Sequence, residues 1–403
     1  MLESDPQRIV DQRREPASAS QLASLGKQIG IDADRHLRGG HASYPTTGCP
    51  VVTSFLPRGG AVSEVWLGDI RLRNRLVTSS SLLGYGVSDP GLVPYGMSPI
   101  ARFVPLERFG AVTTRTLTVQ PRDGHFTNRT DWPLQALPGL LRRYATVLRG
   151  VDGGWINAFG WCNVGIEAYL RDYYPRTRDQ NTIISVGGFA AEEFVVLVDA
   201  VNAAVPPGEI AAVEFNVSCP NVDHYFEPIL AGVLADAVPA SRHPVILKLS
   251  PDRDYVGHAR RAAVAGVSAL TAINTVRALR LNPRTGQPLL ANRYGGLSGR
   301  AVKPIGLRVV AELRDAGITL PVIATGGIRT FDDCREYLWA GADAVSLGSA
   351  SWLASYPGYT LAPLWGWRIR SLLRRIELVS DKQCYSTVCH SRAAKPPKLP
   401  ADG

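Results

Sequence analysis

The sequence predicts an α/β fold in which eight parallel strands alternate with helices and close into a barrel, and three observations carry that expectation. Short apolar runs recur eight times between residues 75 and 349, separated by stretches of helical periodicity. The runs are continuous rather than alternating, as suits strands covered on both faces. They also end alike, in polar or glycine-rich residues, which is where a TIM (β/α)8 barrel keeps its chemistry. A doubly wound open sheet, the competing arrangement, would gather its ligand at one switch point instead of drawing polar residues from every strand end.

In chain order the runs are RLVTSS (75–80), AVTTRT (111–116), TIISVG (182–187), AVEFNVS (212–218), VILKLS (245–250), ALTAINT (269–275), PVIATGG (321–327) and AVSLGS (344–349). FAAEEFVVLVDAVNAAV and GHARRAAVAGV between them read as helices. Thr330, with Asp333 three residues on, supplies a start signal for the helix after PVIATGGI. Two connections are long, Thr116 to Thr182 with WINAFGWCNVG and Thr275 to Pro321 with YGGLSG, and barrel loops of that length are expected to be functional. Residues 1–60 read as a partly disordered N-terminal extension, 61–380 as the barrel and 381–403 as a C-terminal tail.

Composition bounds the function. A chain of 403 residues, 45% hydrophobic and 20% charged, can bury a sizeable core, which excludes whole-chain disorder and fibrous classes. The net charge of +9 is scattered, so an anionic ligand fits better than a nucleic acid. The charged opening MLESDPQRIVDQRREP reads as neither signal peptide nor anchor, and the uncharged run from Ala344 to Trp367 is broken by Gly348, Pro357, Gly358, Pro363 and Gly366, so no membrane span is expected. The six cysteines lack CxxC spacing, which argues against a zinc ribbon, a thioredoxin-type site or an iron–sulfur cluster held by this chain, and suits a cytoplasmic setting.

The strand ends suggest the chemistry. Gly326, Gly327, Gly348 and Ser349 close the last two strands, where bare backbone N–H groups beside a helix start can hold a phosphate; Gly295 to Gly299, with Ser298, adds a third cluster. A phosphorylated cofactor such as FMN fits. Lys248 lies in the apolar run VILKLSP, where an ammonium needs a negative partner: a reduced flavin edge on one reading, a structural ion pair on the other. In NVSCPN, Cys219 stands between Asn216 and Asn221 ahead of a proline-fixed turn, a placement suited to a general base or acid acting on a ring carbon. Asn157, Asn216, Asn221 and Asn274 offer both donors and acceptors, matching an imide or amide ring with alternating C=O and N–H edges. Cys162, in WCNVG, reads as structural.

These residues resemble the dihydroorotate dehydrogenases. TRTLTVQPRDG, INAFGWCNVG, FNVSCPN, KLSP, AINT, ANRYGGLSGRAVKP, ATGGI and AGADAVSLGSA occur in family order over about residues 65 to 355. AINTVRALRLNPRTGQPLLANRYGGLSG is most similar to the NAD-linked, two-subunit class and to the flavin domain of dihydropyrimidine dehydrogenase. The resemblance implies an FMN barrel, with Cys219 as the base and the four asparagines, Thr275 and Arg115 around the substrate. Ser80, Arg115, Lys248, Ser298, Gly299, Gly326, Gly327, Gly348 and Ser349 would meet the cofactor. Three positions depart from the family pattern: Arg115 stands where it has lysine, Ser81 where it has glycine, and Gly124-His125 replaces its Gly-Asn pair. The expected activity is interconversion of a dihydropyrimidine-type ring and its unsaturated form. The alternatives are a tailoring flavoenzyme for another cyclic amide and a non-catalytic flavin-binding subunit. With neither an iron–sulfur ligand set nor a GxGxxG fingerprint, the chain is expected to need an electron-transfer partner subunit or a small acceptor, and to form a homo-oligomer.

Overall fold

The fold is seen in a computed structural model that describes residues 64–80, 83–87, 104–125, 146–220, 226–349 and 362–376. The N-terminal extension, the tail from 381, Ser81 and Asn221 lie outside the described residues.

Fourteen strands are described: β1 (Val65–Leu67), β2 (Ile70–Leu72), β3 (Leu76–Thr78), β4 (Ala111–Thr113), β5 (Leu148–Val151), β6 (Gly154–Asn157), β7 (Thr182–Val186), β8 (Ala212–Phe215), β9 (Val245–Leu249), β10 (Ala269–Ala272), β11 (Val276–Leu279), β12 (Tyr294–Gly299), β13 (Val322–Thr325) and β14 (Ala344–Leu347). Strands β3, β4, β7, β8, β9, β10, β13 and β14 pair in that order and close into a parallel barrel. Each coincides with one of the eight apolar runs, so the sequence expectation holds strand for strand. The helices α1 (Ala191–Ala204), α2 (Phe226–Gly232), α3 (Tyr255–Val264), α4 (Lys303–Asp315), α5 (Phe331–Trp339) and α6 (Ala362–Ile376) include the two expected from periodicity. Among the described residues no helix is long and apolar enough to cross a membrane.

The helices are held by one apolar stripe each. In α1 the buried residues are Phe194, Leu197, Val198 and Val201, spaced i, i+3, i+4 and i+7. They belong to one large apolar cluster with side chains of the outer barrel face, among them Ile184, Val213, Phe215, Leu247 and Leu270. The start of α5 is the expected capping box: Asp333 N–H donates to the Thr330 hydroxyl (3.2 Å), and the Asp333 carboxylate accepts from the Thr330 N–H (2.8 Å).

The barrel interior is a separate cluster. Val77, Ala111, Ile183, Ala212, Ile246, Ala269, Ile323 and Ala344, one from each barrel strand, pack with Leu67, Ile70 and Leu72 of the β1–β2 hairpin, which plugs the floor. Because strand side chains alternate with period two, the residue two positions on faces inward one layer higher. That upper layer is Ser79, Thr113, Ser185, Glu214, Lys248, Thr271, Thr325 and Ser346, every one buried and polar. The continuous hydrophobicity of the runs thus comes from the outer face and the floor together.

The two long connections fold in a way the sequence reading did not foresee. Their strands join in a four-stranded antiparallel sheet of order β11-β12-β6-β5. Asn157 pairs with Gly296 and Trp155 with Ser298, linking segments that are far apart in the chain. The turn of the β5–β6 hairpin is Asp152-Gly153, with Gly153 at φ +74°. This dipeptide is a hairpin signal that a loop reading passes over.

Candidate active site

The accessory sheet is anchored to the barrel mouth at Gly296. Gly296 lies against Thr275 and Pro220: a Cβ there would come within 2.1 Å of the Thr275 hydroxyl and 3.4 Å of Pro220. Only a residue without a side chain lets β12 approach this closely. The contact brings the Cys219-Pro220 turn, Thr275 and, through the β6–β12 pairing, Asn157 to one place. Cys219 is half-buried there, whereas Cys162 and Cys334 are buried. Cys334 has its thiol pushed up to about 12, first by burial and then by the Asp333 charge, and is inert packing.

Lys248 has the negative partner that its burial requires, in the ion pair that one sequence reading expected. Its Nζ donates to the Ser80 hydroxyl (3.2 Å) and to Glu214 Oε1 (3.4 Å), with both charged side chains almost wholly buried. The Glu214 carboxylate also accepts from the hydroxyls of Ser185 (3.0 Å) and Thr271 (2.8 Å), so three donors from three other strands converge on it. Sequence reasoning missed Glu214, although the argument applied to Lys248, a charge inside an apolar run, holds equally for AVEFNVS.

The asparagines divide. Asn216 and Asn274 are bonded directly, Asn274 Nδ2 donating to Asn216 Oδ1 (2.9 Å) and to the Ser218 hydroxyl (3.3 Å). Asn216 Nδ2 donates to Thr116 (2.9 Å), and Asn274 Oδ1 accepts from the Thr275 N–H (2.9 Å). Asn157 is tied instead into the accessory sheet, its Nδ2 donating to the Gly296 carbonyl (2.9 Å). Arg115, on the loop after β4, donates Nε to the Cys162 carbonyl (2.5 Å) and lies over the Phe159 ring. His125 sits on the same segment, its N–H donating to the Phe159 carbonyl (3.1 Å) and its ring packed over Gly160.

Two of the glycine clusters touch, and the third closes the neighbouring strand. Gly299, Gly326 and Gly327 all have positive φ, at +97°, +130° and +71°. A Cβ on Gly327 would lie 2.7 Å from the Gly299 carbonyl, so the two loops touch. Gly348 and Ser349 follow the adjacent strand β14, Gly348 lying against Ser79. The Tyr337 hydroxyl of α5 donates to the Gly326 carbonyl (2.8 Å) and braces the turn from below. Arg329, two residues beyond Gly327, is held below the ordinary guanidinium value by burial and by its neighbours Arg300 and Arg368. An anion placed there would relieve that repulsion. Ser298 is the exception among the expected cofactor residues: its hydroxyl turns to the Trp155 carbonyl within the accessory sheet (3.4 Å). On these features the residues fit a phosphate-bearing flavin.

The family model of dihydroorotate dehydrogenase matches residues 91–361, two thirds of the chain. The chain belongs to the dihydroorotate dehydrogenase family. It is 36% identical over 299 residues to the catalytic subunit of dihydroorotate dehydrogenase B (NAD(+)) from Geobacter metallireducens, covering 72% of this chain and 87% of that one. It is 32% identical over 342 residues to the catalytic subunit of the same name from Bacillus mycoides, covering 82% of this chain and 99% of that one. Dihydroorotate dehydrogenases are oxidoreductases acting on CH–CH groups, and the barrel described above is the scaffold on which this member carries its site.

Proposed function

We propose that this chain is an FMN-dependent catalytic subunit that oxidises dihydroorotate to orotate. The observation that carries the reading is the meeting of Cys219, Thr275 and the Asn216–Asn274 pair at one barrel mouth, beside a glycine cradle suited to a phosphate. Cys219 takes the proton from C5 of the dihydropyrimidine ring, a task that suits a half-buried thiol on a turn fixed by Pro220. FMN, when bound, supplies the acceptor for the hydride that leaves C6. Gly299, Gly326, Gly327, Gly348 and Ser349 would hold its phosphate, and Ser80 and Lys248 its ring. The Lys248 ammonium, with Glu214 as counter-ion, fixes positive charge beside the site, where it opposes negative charge that develops during the transfer.

Asn216, Asn274 and Thr275 hold the imide edge of the substrate, with Asn157 and Asn221 completing the frame. Arg115 grips the substrate carboxylate with the part of its guanidinium not committed to Cys162. The relatives are named catalytic subunits of NAD(+)-linked enzymes, which supports a partner subunit that carries the electrons onward in the cytoplasm.

The test is an anaerobic titration of the purified chain. FMN should co-purify, and dihydroorotate should bleach its absorbance while dihydrouracil and dihydrothymine do so poorly. A flavin bleached by dihydrouracil but not by dihydroorotate overturns the substrate, and a colourless protein that binds no FMN overturns the cofactor.

A further inference from the structure

The buried hydrogen bonds of the mouth form one chain with a forced direction. Glu214 as a carboxylate can only accept, so the single hydrogen of the Ser185 hydroxyl is spent on it (3.0 Å). Ser185 Oγ must then accept from the Thr116 hydroxyl, 3.1 Å away. Thr116, its hydrogen used, accepts from Asn216 Nδ2 (2.9 Å), which turns Asn216 Oδ1 toward the Asn274 amide (2.9 Å). At the far end the Thr275 backbone N–H can only donate, and it fixes Asn274 Oδ1 in the same sense (2.9 Å). The Ser218 hydroxyl accepts from Asn274 and donates to the Lys248 carbonyl (2.8 Å), returning the chain to the strand that carries the ion pair. All five relay side chains, Glu214, Ser185, Thr116, Asn216 and Asn274, are buried.

We propose that Glu214 is a positioning residue: its carboxylate imposes one direction on the relay Ser185–Thr116–Asn216 and, together with the Thr275 N–H at the Asn274 end, fixes how the two carboxamides present donors and acceptors to the ring in the mouth. An isolated asparagine can turn its amide over at little cost, and then offers a ring carbonyl an oxygen where it needs an N–H. Here the flip is blocked, because a reversed Asn216 would set its oxygen against a Thr116 whose only hydrogen is committed to Ser185. Asn216 is left with one N–H and one lone pair, and Asn274 with one lone pair on Oδ1, the complement of a ring edge that alternates C=O and N–H. The proposal rests on the reading that these carboxamides hold the substrate ring.

Glu214→Gln also strips Lys248 of its counter-ion, so the deciding variants are Ser185→Ala and Thr116→Val, which leave the ion pair in place. Ser185 touches neither asparagine, and a merely structural hydroxyl at 185 would not alter ligand affinity. Orotate affinity is measured by calorimetry on the FMN-loaded chain, with a thermal melt of each variant. Ser185→Ala and Thr116→Val should each weaken orotate about tenfold, the scale of a hydrogen bond lost or misdirected. The double variant should be no weaker than either single, because both cut the same relay. Thr116→Ser should restore parental affinity. Parental affinity in Ser185→Ala, or full additivity in the double variant, overturns the relay. A parent chain that binds FMN but no orotate overturns the pyrimidine reading and the proposal with it.

Discussion

The floor and the mouth of the barrel are built by the same eight strands, two residues apart, and share almost no chemistry. Below, Val77, Ala111, Ile183, Ala212, Ile246, Ala269, Ile323 and Ala344 form a dry plug closed by the β1–β2 hairpin. Above, the next inward residues are six hydroxyl-bearing side chains and the Glu214–Lys248 pair. The floor holds the barrel shut by burial, which is non-directional and tolerates repacking. The mouth holds itself by hydrogen bonds and one ion pair, each of which depends on its partners being present. One predicts from this that damage to the floor lowers stability and spares binding, whereas damage to the mouth removes binding even where the fold survives.

The largest effect on stability should come from breaking the ion pair. Lys248→Met leaves a carboxylate buried without its cation and should cost about 3–5 kcal/mol in urea unfolding. Replacing both partners, as Lys248→Met with Glu214→Leu, should recover most of that loss without recovering orotate binding, since an apolar pair of similar volume packs as well. Failure of the double variant to regain stability would show that the pair does more than neutralise itself. In the floor, Ile323→Ala should cost about 2–4 kcal/mol by leaving a cavity, with orotate affinity unchanged. A change in affinity there would erase the division between the two layers.

Smaller effects sharpen the comparison at the rim. Gly327→Ala forces a side chain onto a left-handed residue whose Cβ would lie 2.7 Å from the Gly299 carbonyl. It should cost about 1–2 kcal/mol and loosen FMN, as read by flavin release on dilution. Gly327→Asp, which adds a negative charge, should lose the cofactor outright. Smallest is Thr330→Ala, about 1 kcal/mol for the lost cap, with the mouth untouched. Burial raises the Asp333 carboxyl, but hydrogen bonds from Lys303, the Arg329 and Thr330 N–H groups and the Thr330 hydroxyl outweigh it and hold the group below its ordinary value. Its contribution is therefore complete above the unfolded carboxylate value and is lost as pH falls through the lower folded one. Thr330→Ala should move that loss to higher pH in acid-unfolding curves.

What was legible in the sequence follows the same division. The eight strands could be read because their outer faces and floor residues together make unbroken apolar runs, and the α5 cap because Thr330 and Asp333 are close in the chain. The position of Gly326, Gly327, Gly348 and Lys248 at strand ends could be read from the same runs. The accessory sheet could not, because the bond from Asn157 to Gly296 spans 139 residues and no local pattern announces such a pairing. Its one local signal, Asp152-Gly153, lay in a stretch read as loop. Glu214, Ser185 and Thr116 were hidden for another reason: their role is to one another, across two strands and the loop after β4, and becomes visible only when the barrel closes.

The proposed chemistry of the mouth depends most on a base at the Cys219 turn. The measurement is stopped-flow reduction of bound FMN by dihydroorotate under anaerobic conditions, for the parent chain and Cys219→Ala, with orotate affinity determined in parallel. Cys219→Ala should lower the rate by roughly a hundredfold or more, the usual scale for a general base, at unchanged orotate affinity. Reduction of the alanine variant at the parental rate would contradict a base at Cys219.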